Sequence, residues 1–96
     1  MRIEAVPGIT VTQYKDGKVW VTRPGMHGKP VTHCVGSEYT PLEVALWLKM
    51  RNNGTRCKLV QDEFPKMSSG DREFLITGIT PAEWRRVFPS EIIKED

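Results

Sequence analysis

The fold is decided by residues 8–23, which read GITVTQYKDGKVWVTR. Two runs rich in β-branched and aromatic residues flank Lys15-Asp16-Gly17, a composition typical of a β-hairpin. If Tyr14 pairs with Lys18 across a three-residue loop, Gly17 takes the left-handed conformation of a β-bulge, and the strands separate apolar from polar side chains. A two-residue loop would mix both kinds on each face. The pattern therefore selects the bulged register.

The bulged register predicts two chemically different sheet faces, because successive side chains of a strand point to opposite sides. One face carries four aliphatic side chains: Ile9, Val11, Val19 and Val21. The other carries hydroxyl, aromatic and basic side chains: Thr10, Thr12, Tyr14, Lys18, Trp20 and Thr22. We expect the first face in the core. The second is either covered by another layer, such as the C-terminal helices, or open for binding.

Two helix starts share one signature. Thr40 and Thr80 each precede a proline and stand three residues before a glutamate, which predicts an N-cap, a first-turn proline and a capping box. The first helix is expected over about 40–51 and, being apolar on most sides, at the centre of the core. The second is expected over about 80–88, because a residue before proline, here before Pro89, disfavours helical geometry.

The remaining segments are read from glycine, proline and strand-forming residues. Residues 24–30 are rich in glycine and proline and predict a loop, and residues 31–35 predict a third strand. Residues 55–61 fit either a fourth strand, which we favour, or an irregular connection. A short helix is expected over about 69–77 and ends at Gly78.

These elements predict one α+β domain over residues 1–96. Its three- or four-stranded antiparallel sheet, with the hairpin and third strand at about 8–35, packs on one central helix and precedes two short C-terminal helices. The composition, 39% hydrophobic and 27% charged, is ordinary for a globular protein. No run approaches the length of a membrane helix, and residues 1–4 begin no signal peptide. We expect a cytoplasmic protein.

The sequence carries no recognisable catalytic or metal-binding motif. His27, His33, Cys34 and Cys57 lack the closely paired spacing of zinc ligands, and neighbours on a strand such as His33 and Cys34 point to opposite faces. Two cysteines without a secretion signal are expected as buried free thiols. We therefore expect no metal, no cofactor and no enzyme activity.

The candidate partner-binding residues lie on the mixed face of the hairpin. Tyr14 and Trp20 stand among threonines, with Lys18 on the same face and Arg23 nearby at the strand end. Aromatic and basic side chains on a sheet can anchor a protein partner or stack on bases. The competing interpretation is that Trp20 belongs to a covered second layer.

A nucleic-acid interface is the alternative site. Residues 1–60 contain nine basic and four acidic side chains, whereas residues 61–96 contain five and eight. The two C-terminal helices also resemble a helix-turn-helix in outline, and the second would present Arg85 and Arg86 to a groove or to phosphates. Otherwise the arginines form a solvated face and the apolar residues of both helices, Phe74 and Trp84 among them, are core.

The segment SGDREFLITGITPAEW, residues 69–84, resembles part of small uncharacterised bacteriophage and prophage proteins. This resemblance implies a protein that binds a host protein or forms a minor part of a particle, in the host cytoplasm. We therefore expect a non-catalytic protein-binding domain, such as a phage-encoded inhibitor of host machinery or defence. The alternatives are a nucleic-acid-binding protein and a minor phage structural or assembly protein.

Overall fold

The computed structural model describes residues 1–87. Four antiparallel strands form one sheet in the order β1-β2-β3-β4, and their bounds are β1 Arg2–Val6, β2 Ile9–Gln13, β3 Val19–Pro24 and β4 Pro30–Cys34. Four helices follow in the chain: α1 Pro41–Asn52, α2 Val60–Glu63, α3 Ser69–Thr77 and α4 Pro81–Val87. The predicted α+β class is confirmed. The last predicted helical residue, Phe88, and the tail after it lie outside the described residues.

The central hairpin has the predicted bulged register. Val11 lies opposite Val21, and the backbone N–H of Tyr14 donates to the carbonyl of Lys18 at 3.2 Å. Gly17 has a φ of 85°, in the left-handed region that glycine adopts without steric cost. The alternation of apolar and polar residues therefore determined this register, as expected.

The sheet has a strand, β1, that the sequence analysis did not predict. The prediction that residues 55–61 form a fourth strand is wrong. β1 pairs with β2 through a tight turn at Pro7 and Gly8, where Gly8 has a φ of 93°. Proline followed by glycine is the composition of a type II turn. Residues 55–59 instead form an irregular connection to α2, and the indole N–H of Trp47 donates to the carbonyl of Lys58 at 2.9 Å.

The sheet has an inner face, made by the odd-numbered residues of β2 and β3, that the helices cover. Val11, Val19 and Val21 are fully buried there. α1 packs over β1 and β2, and α3 packs beside β4 with Phe74 and Leu75 fully buried. The core therefore lies between this face and the two helices.

The opposite side of the sheet is called the outer face. It consists of the side chains Arg2, Glu4, Thr10, Thr12, Tyr14, Lys18, Trp20, Thr22, Thr32 and Cys34. All of them are partly or fully exposed. The described helices α1 and α3 make their sheet contacts on the inner side, so α3 is not the layer that would cover Trp20 in one of the two alternatives.

Both predicted capping boxes are present. Thr40 accepts from the backbone N–H of Glu43 at 3.1 Å, and the Glu43 carboxylate accepts from the backbone N–H of Thr40 at 2.9 Å. Thr80 and Glu83 make the same reciprocal pair at 3.2 and 2.8 Å. Ser68 caps α3 by accepting from the backbone N–H of Asp71. Local sequence thus determines where these helices begin.

Candidate functional site

An aromatic pair lies on the outer face near the β2–β3 turn. The rings of Tyr14 and Trp20 meet edge to face, with centroids 6.1 Å apart and planes at 81°. Tyr14 is 56% exposed and Trp20 is partly buried. In the register Trp20 lies between Thr12 on β2 and Cys34 on β4. Neighbours on both sides therefore hold the indole in place and leave part of it accessible to a partner.

Hydrogen-bonding groups surround the aromatic pair. The hydroxyls of Thr22 and Thr32 share a 2.7 Å hydrogen bond between β3 and β4. Lys18 is exposed at the start of β3, where its backbone N–H donates to the carboxylate of Asp16 at 2.9 Å. Aromatic side chains on the same face as hydroxyl and ammonium groups have the composition of a protein contact surface.

Arg23, expected near the aromatic pair at the strand end, points away from the outer face. It lies three residues from Trp20 on β3, so alternation turns its side chain to the inner face. Its guanidinium donates to the carbonyl of Leu75 in α3 at 2.6 Å. Burial lowers the pKa of the Arg23 guanidinium, and nearby Arg51 lowers it further. Arg23 therefore connects β3 to the last turn of α3.

The residues of the alternative nucleic-acid site are exposed. Arg85 and Arg86 lie in the last turn of α4, where positive charge also complements the carboxyl end of a helix. In the preceding helix Phe74 is fully buried against the sheet, as the core interpretation expected, and Trp84 of α4 is partly buried. α3 is therefore a core helix of this domain.

His33 makes a side-chain hydrogen bond to α3. Its Nε2 lies 2.6 Å from Oδ1 of Asp71, and its ring lies 5.0 Å from that of Phe74. Cys34 points to the outer face, where its Sγ accepts from the backbone N–H of Gly36 at 3.4 Å. Cys34 and Cys57 are free thiols but only partly buried, so the expectation of buried thiols is wrong. Because His33 and Cys34 point to opposite sides, they do not form a nucleophile pair.

Two features are absent from residues 1–87, the part of the chain that the structure describes. Within them, no three or more His, Cys, Asp and Glu side chains are grouped so as to hold a metal ion. No helix in this range has the length and apolar character needed to cross a membrane.

Sequence reasoning missed a second surface, on α1. Leu42 and Leu46 are 62% and 54% exposed, although the apolar helix was expected to be central to the core. Beside them a groove of about 590 Å³ runs between α1 and the segment 56–63. It is lined by Glu43, Leu46, Trp47, Met50, Arg56, Cys57, Lys58 and Glu63.

The groove follows from how the segment after α1 returns along it. The Trp47 indole bonds to Lys58 and its ring packs edge to face on Phe64, with centroids 5.8 Å apart. Only one side of α1 faces the sheet. The sequence already indicated a second contact surface on α1, because a helix with apolar residues on most sides needs a partner on each side to bury them.

No family model, curated protein or solved structure in our comparisons matches this chain.

Proposed function

We propose that this chain is a non-catalytic protein-binding domain and that its recognition surface is the outer face of the sheet. The observation that carries the proposal is the Tyr14–Trp20 pair, which stands accessible on a rigid face of hydroxyl and basic side chains. Aromatic side chains of this kind dominate the binding energy of protein interfaces. The sheet supplies the rigidity that lowers the entropy cost of binding.

The charge of the chain favours an acidic protein partner. Lys18 lies beside the aromatic pair, and Lys15 is exposed in the adjoining turn. Residues 1–60 carry five more basic than acidic side chains. Complementary charge accelerates association and selects the partner. Together with the resemblance of residues 69–84 to phage proteins, this supports an inhibitor that acts on a host protein in the cytoplasm.

The test compares binding with folding in the Trp20→Ala variant. A buried aromatic anchor contributes about 2 kcal/mol or more to binding, so we expect at least about a 30-fold loss of affinity. A cross-strand pair contributes only about 0.2–1 kcal/mol to stability, so the melting temperature should fall little. Tyr14→Ala should weaken binding as well. Met26→Ala, which truncates an exposed apolar side chain in the β3–β4 loop outside the outer face, is the matched control and should leave affinity unchanged.

The experiment recovers partners from host lysate with the wild-type chain and measures affinity for each purified candidate by calorimetry. Only a partner that loses affinity with Trp20→Ala and keeps it with Met26→Ala supports the proposal. A large fall in melting temperature without a specific loss of binding would show that Trp20 is structural and that the recognition surface lies elsewhere.

Nucleic-acid binding is the second candidate, and the exposure of Arg85 and Arg86 favours it. Lysine and arginine contacts to phosphates release counterions, so affinity for generic DNA or RNA would fall steeply with salt. We expect feeble binding in an anisotropy titration at physiological salt. Tight, salt-sensitive binding that Arg85→Ala and Arg86→Ala abolish would replace the protein-binding proposal.

A further inference from the structure

The exposed side of α1 carries an apolar stripe. Leu42, Leu46 and Met50 recur every fourth residue and therefore lie along one side of the helix. Val44 and Leu48, on the opposite side, are buried against the sheet. Leucines this exposed, next to an apolar groove with charged residues at its ends, are typical of an interaction surface.

The groove beside this stripe has a defined direction. The backbone N–H of Thr55 donates to the carbonyl of Met50 at 2.9 Å, near the carboxyl end of α1. Further along, the backbone N–H of Lys66 donates to the hydroxyl of Tyr39 at 2.9 Å, just before α1 begins. The segment after α1 therefore runs antiparallel to the helix.

This direction separates the charges of the groove. Glu43, in the first turn of α1, and Glu63, at the end of α2, lie toward one end. Arg56 and Lys58 lie toward the other, beside the carboxyl end of α1. The groove thus has an acidic end and a basic end, with an apolar wall between them.

We propose that a second copy of this chain covers this surface, with the two α1 helices antiparallel across a two-fold axis near Leu46. Each Leu46 then contacts its counterpart, and each Leu42 lies toward Met50 of the other copy. The same axis places the acidic end of each groove over the basic end of the other, so the charge match occurs twice. Parallel packing would bring like charges together.

The homodimer adds a consequence to the proposed function without depending on it. α1 lies on the inner side of the sheet, so its exposed side faces away from Tyr14 and Trp20. Dimerisation through α1 leaves both outer faces open. Two linked copies of one recognition surface raise avidity toward an oligomeric partner.

The first test is the oligomeric state of the purified chain. We expect sedimentation velocity to show a monomer–dimer equilibrium in a concentration series that ends near 1 mM, where even a millimolar dissociation constant gives a substantial dimer fraction. Leu46→Glu should abolish the dimer, because two carboxylates would meet at the axis. Met26→Glu, in the exposed β3–β4 loop, is the matched control and should dimerise like the wild type.

The second test uses the charged ends. Arg56→Glu and Glu63→Arg each create like-charge contacts in their own homodimer, and each should weaken it at least about tenfold. A mixture of the two variants makes opposite charges meet at both ends, so it should form a heterodimer close to wild-type affinity. A wild-type chain that stays monomeric, a dimer that survives Leu46→Glu, or a mixture no tighter than the single variants would overturn the proposal. None of these measurements needs a partner protein.

Discussion

Replacing Gly78 by alanine tests how α3 is joined to the sheet. Gly78 is buried with a φ of 78°, and a Cβ built on it would lie 2.1 Å from the carbonyl oxygen of Pro24. The left-handed conformation alone costs an alanine about 1–2 kcal/mol. To relieve the contact, the end of α3 must move away from β3, which stretches the hydrogen bond from Arg23 to Leu75. Because that donor is charged, its loss costs about 1.5–3 kcal/mol more.

The expected total for Gly78→Ala is a loss of about 2.5–5 kcal/mol in the free energy of unfolding. Gly54→Ala separates the two terms, because Gly54 has a φ of 72° but would meet no atom within 4 Å. That control should lose only about 1–2 kcal/mol. Urea titrations followed by tryptophan fluorescence measure both. Equal losses in the two variants would refute the reasoning. They would show that the steric contact between the new Cβ and Pro24 adds nothing to the loss in the free energy of unfolding.

Two further outcomes test the core and the attachment of α3. Leu48 is 2% exposed, so Leu48→Ala should cost about 2–5 kcal/mol in chemical denaturation, and a loss below about 0.5 kcal/mol would mean that this side of α1 is not packed. A double-mutant cycle with His33→Ala and Asp71→Ala should give a coupling energy of about 0.5 kcal/mol or more at neutral pH. Strictly additive losses would show that their 2.6 Å contact does not stabilise the fold.

The alternation of side chains along the strands was enough to predict which residues share the outer face. The placement of Trp20 beside Thr12, with Tyr14 and Lys18 on the same side, followed from the register alone. The same rule, applied to Arg23, turns it to the inner face, where it bonds to Leu75. Proximity in sequence had suggested a shared surface for these residues. The alternation of side chains along β3 instead separates Arg23 from Trp20 onto the opposite face.

The edge strand depended on its pairing with β2, and the α1 groove depended on the packing of residues 56–63 beside the helix. β1 and residues 55–61 are both short runs with strand-forming residues, and local propensity cannot say which one joins the sheet. Pairing with β2 through the Pro7–Gly8 turn stabilised the first, while the Trp47 indole bond to Lys58 held the second beside α1. The exposure of Leu46 follows from that packing.

The sequence by itself determined the α+β class, the register of the central hairpin and the starts of the capped helices. Each of these depends on steric and hydrogen-bonding preferences among residues only a few positions apart. Only the tertiary structure decided that α1 and α3 both pack on the inner face of the sheet, that Arg23 connects β3 to α3, and that α1 leaves Leu42 and Leu46 exposed on the single chain. These features depend on how the whole chain distributes the burial of its apolar surface once the helices cover one side of the sheet. Residues only a few positions apart do not determine that distribution.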